Sequence, residues 1–171
     1  MKMAMVVAKD EEGYIGKGNI LPWHLAADMA RFRLLTEGDG HNAVIMGRST
    51  WDSLPDSFRP LPNRLNIVMT RQTNWDCVGV EIAHNPEQAI EIADNGGCEE
   101  CWVIGGAQIY DMFLDRVNEI HITIVHISSS GDTLFPDWDR SEWNEDVIVC
   151  LDADDVNEHP TTYSIWTSGE S

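Results

Sequence analysis

Short apolar runs alternate with helix-like stretches along the chain. Seven runs rich in apolar and β-branched residues predict strands at residues 3–8, 43–46, 65–70, 102–104, 120–125, 147–150 and 163–167. The apolar spacing between them predicts helices at residues 26–35, 49–53, 86–94 and 108–114. Pro86, directly after Asn85, marks the start of the third helix, because proline is favoured in the first helical turn.

This order of elements predicts a single α/β domain over residues 1–171. Strands that alternate with helices favour a central, mostly parallel twisted sheet with helices on both faces. The late strands, with hairpin-like spacing around residues 128–131, are expected to add an antiparallel C-terminal edge.

Three predicted strand-to-helix junctions contain small and hydroxyl residues. They are residues 46–50 (MGRST), 70–73 (TRQT) and 104–108 (IGGAQ). In open α/β sheets, ligands bind beyond the carboxyl ends of the strands, where free backbone N–H groups favour phosphate. Arg48 and Arg71 lie in two of these junctions. Together the junctions predict a site for a phosphorylated cofactor.

The charge is strongly uneven along the chain. The net charge is −18; the first 73 residues carry nine Lys and Arg against eight Asp and Glu, and the remainder carries two against twenty-one. A nucleic-acid partner is not expected, because binding would need a basic face. Six of the eleven cations fall within residues 31–71. That grouping indicates a site for a small anionic ligand, with solvated surface charge as the alternative.

The four cysteines leave one alternative to weigh. Cys98 and Cys101 have the spacing of a zinc or redox pair, but Cys77 and Cys150 are isolated in sequence. The pair also runs into a predicted strand, whereas a reactive dithiol usually lies at a helix start. Ordinary thiols and no metal are the favoured interpretation. The longest apolar runs, of about five residues, are far below the ~20 that span a bilayer, and nothing resembles a signal peptide. A cytoplasmic protein with no membrane partner is expected.

Ordered sequence blocks resemble the dihydrofolate reductase family over nearly the whole chain. The blocks are residues 15–28 (IGKGNILPWHLAAD), 44–51 (VIMGRSTW), 61–64 (LPNR), 103–110 (VIGGAQIY) and 131–136 (GDTLFP), with Phe32 and Thr36 between the first two. The resemblance implies NADPH-dependent reduction of 7,8-dihydrofolate to 5,6,7,8-tetrahydrofolate, with hydride transfer to pterin C6 and protonation at N5. It also implies that antifolate inhibitors bind. A monomer is expected.

Asp28 is the candidate acid. It is the first acid after a long apolar and aromatic stretch, and a pocket of Met5, Leu21, Phe32, Leu54 and Ile104 would raise its pKa by desolvation. A raised pKa, or proton delivery through a water, makes acid catalysis feasible, since an exposed Asp is protonated about one part in a thousand at pH 7. A helix N-terminal carboxylate is the alternative. The resemblance implies that Asp28, assisted by Thr123, also binds the pterin.

The resemblance implies the remaining site residues. Catalysis would involve Asp28, Trp23, Leu21 and Thr123. The substrate would contact Met5, Val6, Asp28, Phe32, Leu54, Arg59, Arg64, Ile104 and Thr123. Arg64 would hold the α-carboxylate of the glutamyl tail, since guanidinium suits bidentate carboxylate recognition. NADPH would contact Ala8, Ile15, Gly16, Asn19, Leu21, Gly47, Arg48, Ser49, Thr50, Thr70, Arg71, Gln72, Ile104, Gly105, Gly106, Ala107, Gln108, Ile109, Tyr110 and Thr133.

Particular roles follow within that set. Arg48 and Arg71 would select the 2′-phosphate, and Gly105-Gly106 would form a cis peptide bond. Residues 16–21 would form a mobile lid that Asp132 supports, with a simple turn acid as the alternative. Trp23 would hold a structural water near Asp28, with a plain core role as its alternative.

The sequence departs from the family pattern in several places. Ala26-Ala27 lacks a proline common before the helix, and Arg31 stands where an apolar residue is usual. Two other functions stay open: a pyrimidine reductase of riboflavin synthesis on the same fold, or a catalytically idle folate-binding protein. The paired Asp28 and Arg64 argue against the first, and the presence of Asp28 argues against the second.

Overall fold

An eight-stranded sheet forms the centre of the molecule. The computed structural model describes residues 1–16 and 23–169. Its strands are β1 (Lys2–Asp10), β2 (Tyr14–Gly16), β3 (Asn42–Gly47), β4 (Arg64–Met69), β5 (Glu81–Ala83), β6 (Glu100–Gly105), β7 (Glu119–Val125), β8 (Thr133–Leu134), β9 (Trp143–Leu151) and β10 (Thr161–Ser168). Its α-helices are α1 (Ala26–Glu37), α2 (Arg48–Ser53), α3 (Pro86–Asn95) and α4 (Ala107–Phe113), with a short 3-10 turn at Asp56–Phe58.

The sheet is mostly parallel and has the strand order β5-β4-β3-β6-β1-β7-β10-β9. All pairings among the first six of these strands are parallel. β10 then runs antiparallel to β7, and β9 antiparallel to β10. The predicted α/β architecture with an antiparallel edge is confirmed.

The hairpin predicted around residues 128–131 is placed differently. That segment leads into β8, which pairs with β2 in a separate two-stranded sheet. The antiparallel edge is instead formed by β9 and β10, which residues 152–160 connect. The hairpin was misplaced because β8 has only two residues. So short a strand has no apolar run from which the sequence could predict it or its pairing strand.

Side chains from the central strands are buried on both faces of the sheet. On one face, Val44, Val68 and Trp102 form a cluster against Trp51 of α2 and Phe32 of α1. On the opposite face, α3 and α4 supply Ala89, Ala93, Ile109, Tyr110 and Phe113 to a larger cluster. Burial on both faces explains why these strands read as continuous apolar runs.

The first turn of α1 depends on a distant loop. Its N-cap residue, Leu25, makes no side-chain capping bond. Instead Asn157, in the connection between β9 and β10, accepts a hydrogen bond on Oδ1 from the Ala27 N–H at 2.9 Å. The Asp154 carboxylate accepts bonds from both the backbone N–H and the side-chain amide of Asn157. This loop therefore satisfies an N–H that the helix itself cannot pair.

The acidic half of the chain has little local compensation. Beyond residue 73, the carboxylates with a Lys or Arg nitrogen within 4 Å in the described part are Glu87, Glu100, Asp115 and Glu119. Self-repulsion should therefore lower stability at low salt. No helix in the described ranges is long and apolar enough to cross a membrane.

We expect the melting temperature to rise between 0.01 M and 0.5 M NaCl, with activity surviving over that range. The Debye length falls from about 30 Å at 0.01 M to about 3 Å at 1 M, so salt screens the repulsion among the acids. A gain of about 1 kcal/mol in the free energy of unfolding raises the melting temperature by about 2–4 °C for a chain of this size. Calorimetry across the series is the measurement.

A matched variant tests the cause. Glu145 and Asp146 are exposed on β9, and replacing both by lysine lowers the net negative charge. This Glu145→Lys, Asp146→Lys variant should gain less from salt than the parent protein. A flat or falling melting temperature for the parent would show that the acids are locally compensated.

Candidate active site

Asp28 lies in the first turn of α1, and its carboxylate contacts β7. The Thr123 hydroxyl donates a hydrogen bond to Asp28 Oδ1 at 2.6 Å. Arg31 places Nη1 3.4 Å from the same oxygen. Burial raises the pKa of Asp28 above its usual value, and the Thr123 hydrogen bond and the Arg31 charge oppose this. The structure therefore brings Asp28 and Thr123 together as expected, in surroundings that favour the protonated acid.

Apolar side chains surround this end of the sheet. Val6, Phe32, Leu54 and Ile104 are partly buried and pack against the same cluster. The structure does not bring Met5 to them: its side chain is fully buried in the core on the opposite face. Neighbouring residues of a strand point to opposite faces, so Val6 and Met5 cannot both face α1. β1 therefore contributes Val6 to the face that carries α1, and the prediction that Met5 lies on that face is wrong.

Arg64 begins β4 and is held beside α1. Its Nε donates to the Pro62 carbonyl at 2.8 Å, and its Nη1 donates to Thr36 Oγ1 at 3.0 Å. Burial lowers the pKa of Arg64, Glu37 opposes that effect, and an arginine in a protein keeps its charge. Neither hydrogen bond uses Nη2, so the guanidinium can still bind an anion.

Arg59 lies at the edge of the same region. It pairs with Asp56 at 2.9 Å, and its guanidinium carbon is 5.7 Å from the centroid of the Trp51 ring. The Asp56 side chain is 95% exposed, so this pair is a surface contact. Arg59 thus lies at the rim of this region, in a pair that contributes little to stability.

The predicted junctions meet at one edge of the sheet. β4, β3 and β6 are neighbours and parallel, and Met46 pairs with Gly105 while Gly47 pairs with Met69. Their carboxyl ends therefore lie side by side, as the sequence predicts for a cofactor site.

Close packing joins two of these junctions. A Cβ on Gly47 would lie 3.0 Å from Ile109 Cγ1 of α4, and one on Gly106 would lie 3.8 Å from Thr50 Oγ1. The Gly105–Gly106 peptide bond is cis, as expected, and Gly105 has φ +121°, which disfavours any side chain there. Ala107 and Gln108 follow at the start of α4, where backbone N–H groups lack intrahelical partners.

Two of the predicted cofactor residues lie in the core beneath the junctions. Ile109 and Tyr110 are buried, with exposures of 8% and 4%. The Tyr110 hydroxyl donates to the Val6 carbonyl at 2.8 Å, and burial raises the pKa of Tyr110. Their side chains support the edge of the site from below.

Arg48 is positioned at the start of α2. Its Nη1 donates to Gln72 Oε1 at 2.8 Å, its Nε pairs with Asp52 at 3.2 Å, and its guanidinium carbon lies 4.4 Å from the Trp75 ring centroid. Gln72 is itself held by a bond from its N–H to Thr70 Oγ1. Thus the structure joins two of the predicted junctions through Arg48 and Gln72.

Ser49 and Arg71 complete the polar edge. Ser49 follows Arg48 in the first turn of α2, and Arg71 is exposed directly after Thr70. Two cations beside free N–H groups suit the 2′-phosphate and diphosphate of NADPH. The residues present therefore fit this cofactor.

Asn19 and Leu21, predicted at the lid, lie outside the described residues, as does most of the lid segment. Its described start contacts the loop before β8: the Asp132 N–H donates to the Gly16 carbonyl at 3.1 Å, and Gly16 pairs with Thr133. A Cβ on Gly131 would lie 2.7 Å from the same carbonyl. Ile15 packs against the core cluster. The backbone of Asp132 thus contacts the described start of this segment, and its support of the lid stays a prediction.

Trp23 and Ala8 lie on the far side of Asp28. Trp23 is buried against Leu25 and Val125, with Ala8 packed beside them. This packing gives Trp23 the core role that the sequence left as an alternative. Its role in holding a water stays a prediction.

Sequence reasoning missed three supporting residues. Tyr163 and His121 lie in β10 and β7 beneath α1, and the Arg31 guanidinium carbon is 4.1 Å from the Tyr163 ring centroid. Asn157 caps α1 from 130 positions away. The unusual cation at Arg31 was the signal that the sequence offered. The partners themselves depend on tertiary register, which the sequence pattern does not reveal.

The cysteine pair has the character of ordinary thiols. Burial raises the pKa of Cys98, and raises the pKa of Cys101 to about 12. A reactive or metal-binding cysteine is a thiolate, which these surroundings disfavour at neutral pH.

Known proteins share this sequence and this fold. A dihydrofolate reductase family model matches residues 2–168. The chain is 41% identical over 145 residues to a dihydrofolate reductase of Neisseria gonorrhoeae, covering 85% of each chain. It is 36% identical over 159 residues to dihydrofolate reductase type 3 of Salmonella typhimurium, covering 93% of each. A solved dihydrofolate reductase from Enterococcus faecalis, complexed with NADP(H) and RAB-propyl, superposes with a TM-score of 0.87 at 30% identity, covering 99% of this chain and 97% of that one.

Proposed function

The chain belongs to the dihydrofolate reductase family, and we propose that Asp28, supported by Thr123, is the acid of its reaction. That reaction is the NADPH-dependent reduction of 7,8-dihydrofolate to 5,6,7,8-tetrahydrofolate. The observation that carries the proposal is the partly buried carboxylate of Asp28, 2.6 Å from the Thr123 hydroxyl, on a helix that also contributes the apolar Phe32 to this side of the sheet.

The chemistry divides between the cofactor and the chain. NADPH supplies the hydride that reaches pterin C6. Asp28 binds the pterin amino group and N3 and promotes protonation at N5. Among the described residues, the Thr123 hydroxyl and Arg31 both contact Oδ1, which supports binding of the substrate through Oδ2. Its raised pKa increases the protonated fraction near neutral pH, which acid catalysis requires.

The apolar residues Val6, Phe32, Leu54 and Ile104 bind the pterin and exclude water, while Arg64 binds the glutamyl α-carboxylate. The junctions at Gly47, Thr70 and Gly105 would hold the cofactor along the sheet edge. The loss of NADPH absorbance on addition of dihydrofolate tests the whole assignment. No turnover of dihydrofolate by the folded protein would refute it.

Neither alternative function is favoured. The family match and the named relatives are dihydrofolate reductases, and Asp28 and Arg64 both stand in place. The first alternative, a pyrimidine reductase, is tested by the same absorbance assay with the pyrimidine substrate of riboflavin synthesis. Turnover of that substrate in place of dihydrofolate would identify it. Binding of dihydrofolate without turnover would identify the second.

We also propose that the protein is a cytoplasmic monomer that binds antifolates on the Asp28 side of its site. Its net charge of −18 supports the absence of a nucleic-acid partner.

Replacing both Arg48 and Arg71 by methionine should narrow the preference for NADPH over NADH by at least about tenfold, or roughly 1.4 kcal/mol. Both cations lie beside the junction backbone, and only NADPH carries the 2′-phosphate that they would bind. The ratio of kcat/KM values for the two cofactors is the measurement. Arg140→Met is the control, since Arg140 stacks on Trp138 at the other side of the sheet. An unchanged ratio in the double variant would place the 2′-phosphate site elsewhere.

A further inference from the structure

Arg31 is a largely buried cation one helical turn after Asp28. Its side chain is 19% exposed, and its Nη1 lies 3.4 Å from Asp28 Oδ1. Residues three apart lie on the same face of a helix, so both side chains point toward the sheet. A cation here needs compensation, because charge withdrawn from water is costly unless it is paired. Asp28 supplies part of that compensation.

Tyr163 supplies the rest. The Arg31 guanidinium carbon lies 4.1 Å from the centroid of the Tyr163 ring, a cation–π distance. Tyr163 pairs directly with Thr123 in the antiparallel register of β10 and β7. The two strands thus present a hydroxyl to Asp28 and an aromatic face to Arg31, side by side.

His121 fixes the Tyr163 ring from beneath. Its Nδ1 lies 2.5 Å from the Tyr163 hydroxyl, and its Nε2 lies 2.6 Å from Glu119 Oε1. The carboxylate only accepts, so Nε2 carries the proton and Nδ1 accepts from the tyrosine hydroxyl. Burial lowers the pKa of His121, although Glu119 opposes this, so the imidazole is neutral. Lys2 pairs with Glu119 at 3.2 Å and completes the chain of contacts.

We propose that Arg31, held by Tyr163 and His121, is a positioning residue that orients the Asp28 carboxylate and sets the pH range of the reaction. The inference rests on the proposed role of Asp28. Arg31 and Thr123 engage Oδ1 together, which fixes the carboxylate plane and leaves Oδ2 to the pterin. The positive charge also stabilises the ionised form against desolvation.

Arg31 is the charged group positioned to do this. The titratable groups that face Asp28 within the described ranges are Arg31 on its own helix, Tyr110 from α4 and Tyr163 from β10. Both tyrosines are neutral phenols, because burial raises the pKa of each. β1 contributes the apolar Val6 and Ala8 on this side. Among the described residues, the electrostatic balance at Asp28 therefore depends on Arg31.

The test is a titration of the Asp28 carboxylate by ¹³C NMR in the free protein, with Asp28→Asn used to assign the resonance. An opposite charge within 4–6 Å typically lowers an Asp pKa by about 1–3 units, and partial exposure of Arg31 reduces that effect. In Arg31→Met we expect the Asp28 pKa to rise by about 0.5–1 unit. The alkaline limb of the kcat/KM profile, where the rate falls as Asp28 loses its proton, should move upward in pH by a similar amount.

Matched variants separate this role from general damage. Arg33→Met removes the same charge from the same helix, but Arg33 is 69% exposed and pairs with Glu37, so the Asp28 titration should not move. Arg31→Lys keeps the charge and should restore part of the effect. Tyr163→Leu should reproduce the rise in the Asp28 pKa, whereas Tyr163→Phe, which keeps the ring, should raise it less. Arg31→Gln serves as the neutral variant if Arg31→Met does not fold.

The result that overturns the inference is an Asp28 titration in Arg31→Met or Arg31→Gln that matches the parent protein. This outcome is distinct from failure of the proposed function. Absence of turnover in the parent protein would refute the reaction, yet the titration of the free protein would still report whether Arg31 controls Asp28.

Discussion

Replacement of Asp28 by asparagine is expected to lower the rate of dihydrofolate reduction at pH 7 by about a hundredfold or more, since general acid catalysis typically contributes 10²–10⁴-fold. Asparagine keeps the shape of the side chain and its bond from Thr123, but it cannot release a proton at neutral pH. NADPH binding should be largely unchanged, because the junctions proposed to hold the cofactor follow β3, β4 and β6, whereas Asp28 lies on α1. The residual rate should rise as pH falls, since substrate protonated in solution needs no acid. Steady-state kinetics from pH 5 to 9 measure this.

The same variant has an expected effect on stability. The folded-state pKa of Asp28 is raised, so between the unfolded and folded values the folded state holds a proton that the unfolded chain releases. Stability therefore falls as pH rises through that window. The penalty is complete above the folded-state pKa and amounts to about 1.4 kcal/mol for each pH unit that separates the folded and unfolded pKa values. Asp28→Asn should melt at a higher temperature at pH 7, and the difference should vanish below the ordinary Asp pKa.

Two results decide these expectations for Asp28. Asp115→Asn, at a carboxylate that is 84% exposed, is the control for stability and should leave the melting temperature nearly unchanged. Full activity of Asp28→Asn at pH 7 would refute the assignment of Asp28 as the acid.

Arg64→Ala should weaken dihydrofolate binding by about 2–5 kcal/mol, the usual cost of removing one partner of a partly buried charge pair. A pterin without the glutamate should lose far less. The reason is that Arg64, held by Thr36 and the Pro62 carbonyl, offers its remaining N–H groups to the tail carboxylate. The measurement is the KM or Kd of both ligands for parent and variant proteins.

A comparison of the two ligands separates tail binding from structural damage. Arg64→Ala also removes the hydrogen bond to Thr36, and any resulting movement of α1 would weaken both ligands equally. Equal losses would therefore show that Arg64 does not hold the tail. Arg140→Ala, which removes a charge stacked on Trp138, should leave both affinities unchanged.

The sequence predicted the elements that have strong periodic patterns. The largely buried strands β1, β3, β4, β6 and β7 read as apolar runs, and each helix was located to within two residues at either end. β2, β5 and β8 were missed because two or three residues carry no period. Met5 was assigned to the substrate surface, although the alternation along β1 sends it to the opposite face.

The candidate site likewise has one part that local sequence motifs predict and another that they do not. The positions of Asp28, Arg64, Arg48 and the Gly105–Gly106 bond follow from motifs that are local in sequence. The contacts around Asp28 do not follow from local motifs. Thr123 lies 95 positions away, and Asn157 caps the helix from another loop. Arg31 was visible only as an unexpected charge, since the ring on which it stacks comes from β10.

The capping of α1 by Asn157 has a consequence for folding during translation. On the ribosome, α1 and Asp28 emerge well before their partners, because Thr123 follows Asp28 by 95 positions and Asn157 follows Ala27 by 130. Contacts this distant in sequence must wait until both partners are available. A nascent chain halted before Asn157 therefore carries Asp28, the proposed acid, on a helix that has neither its cap nor Tyr163. The surroundings of this carboxylate are thus completed only when β9 and β10 join the sheet.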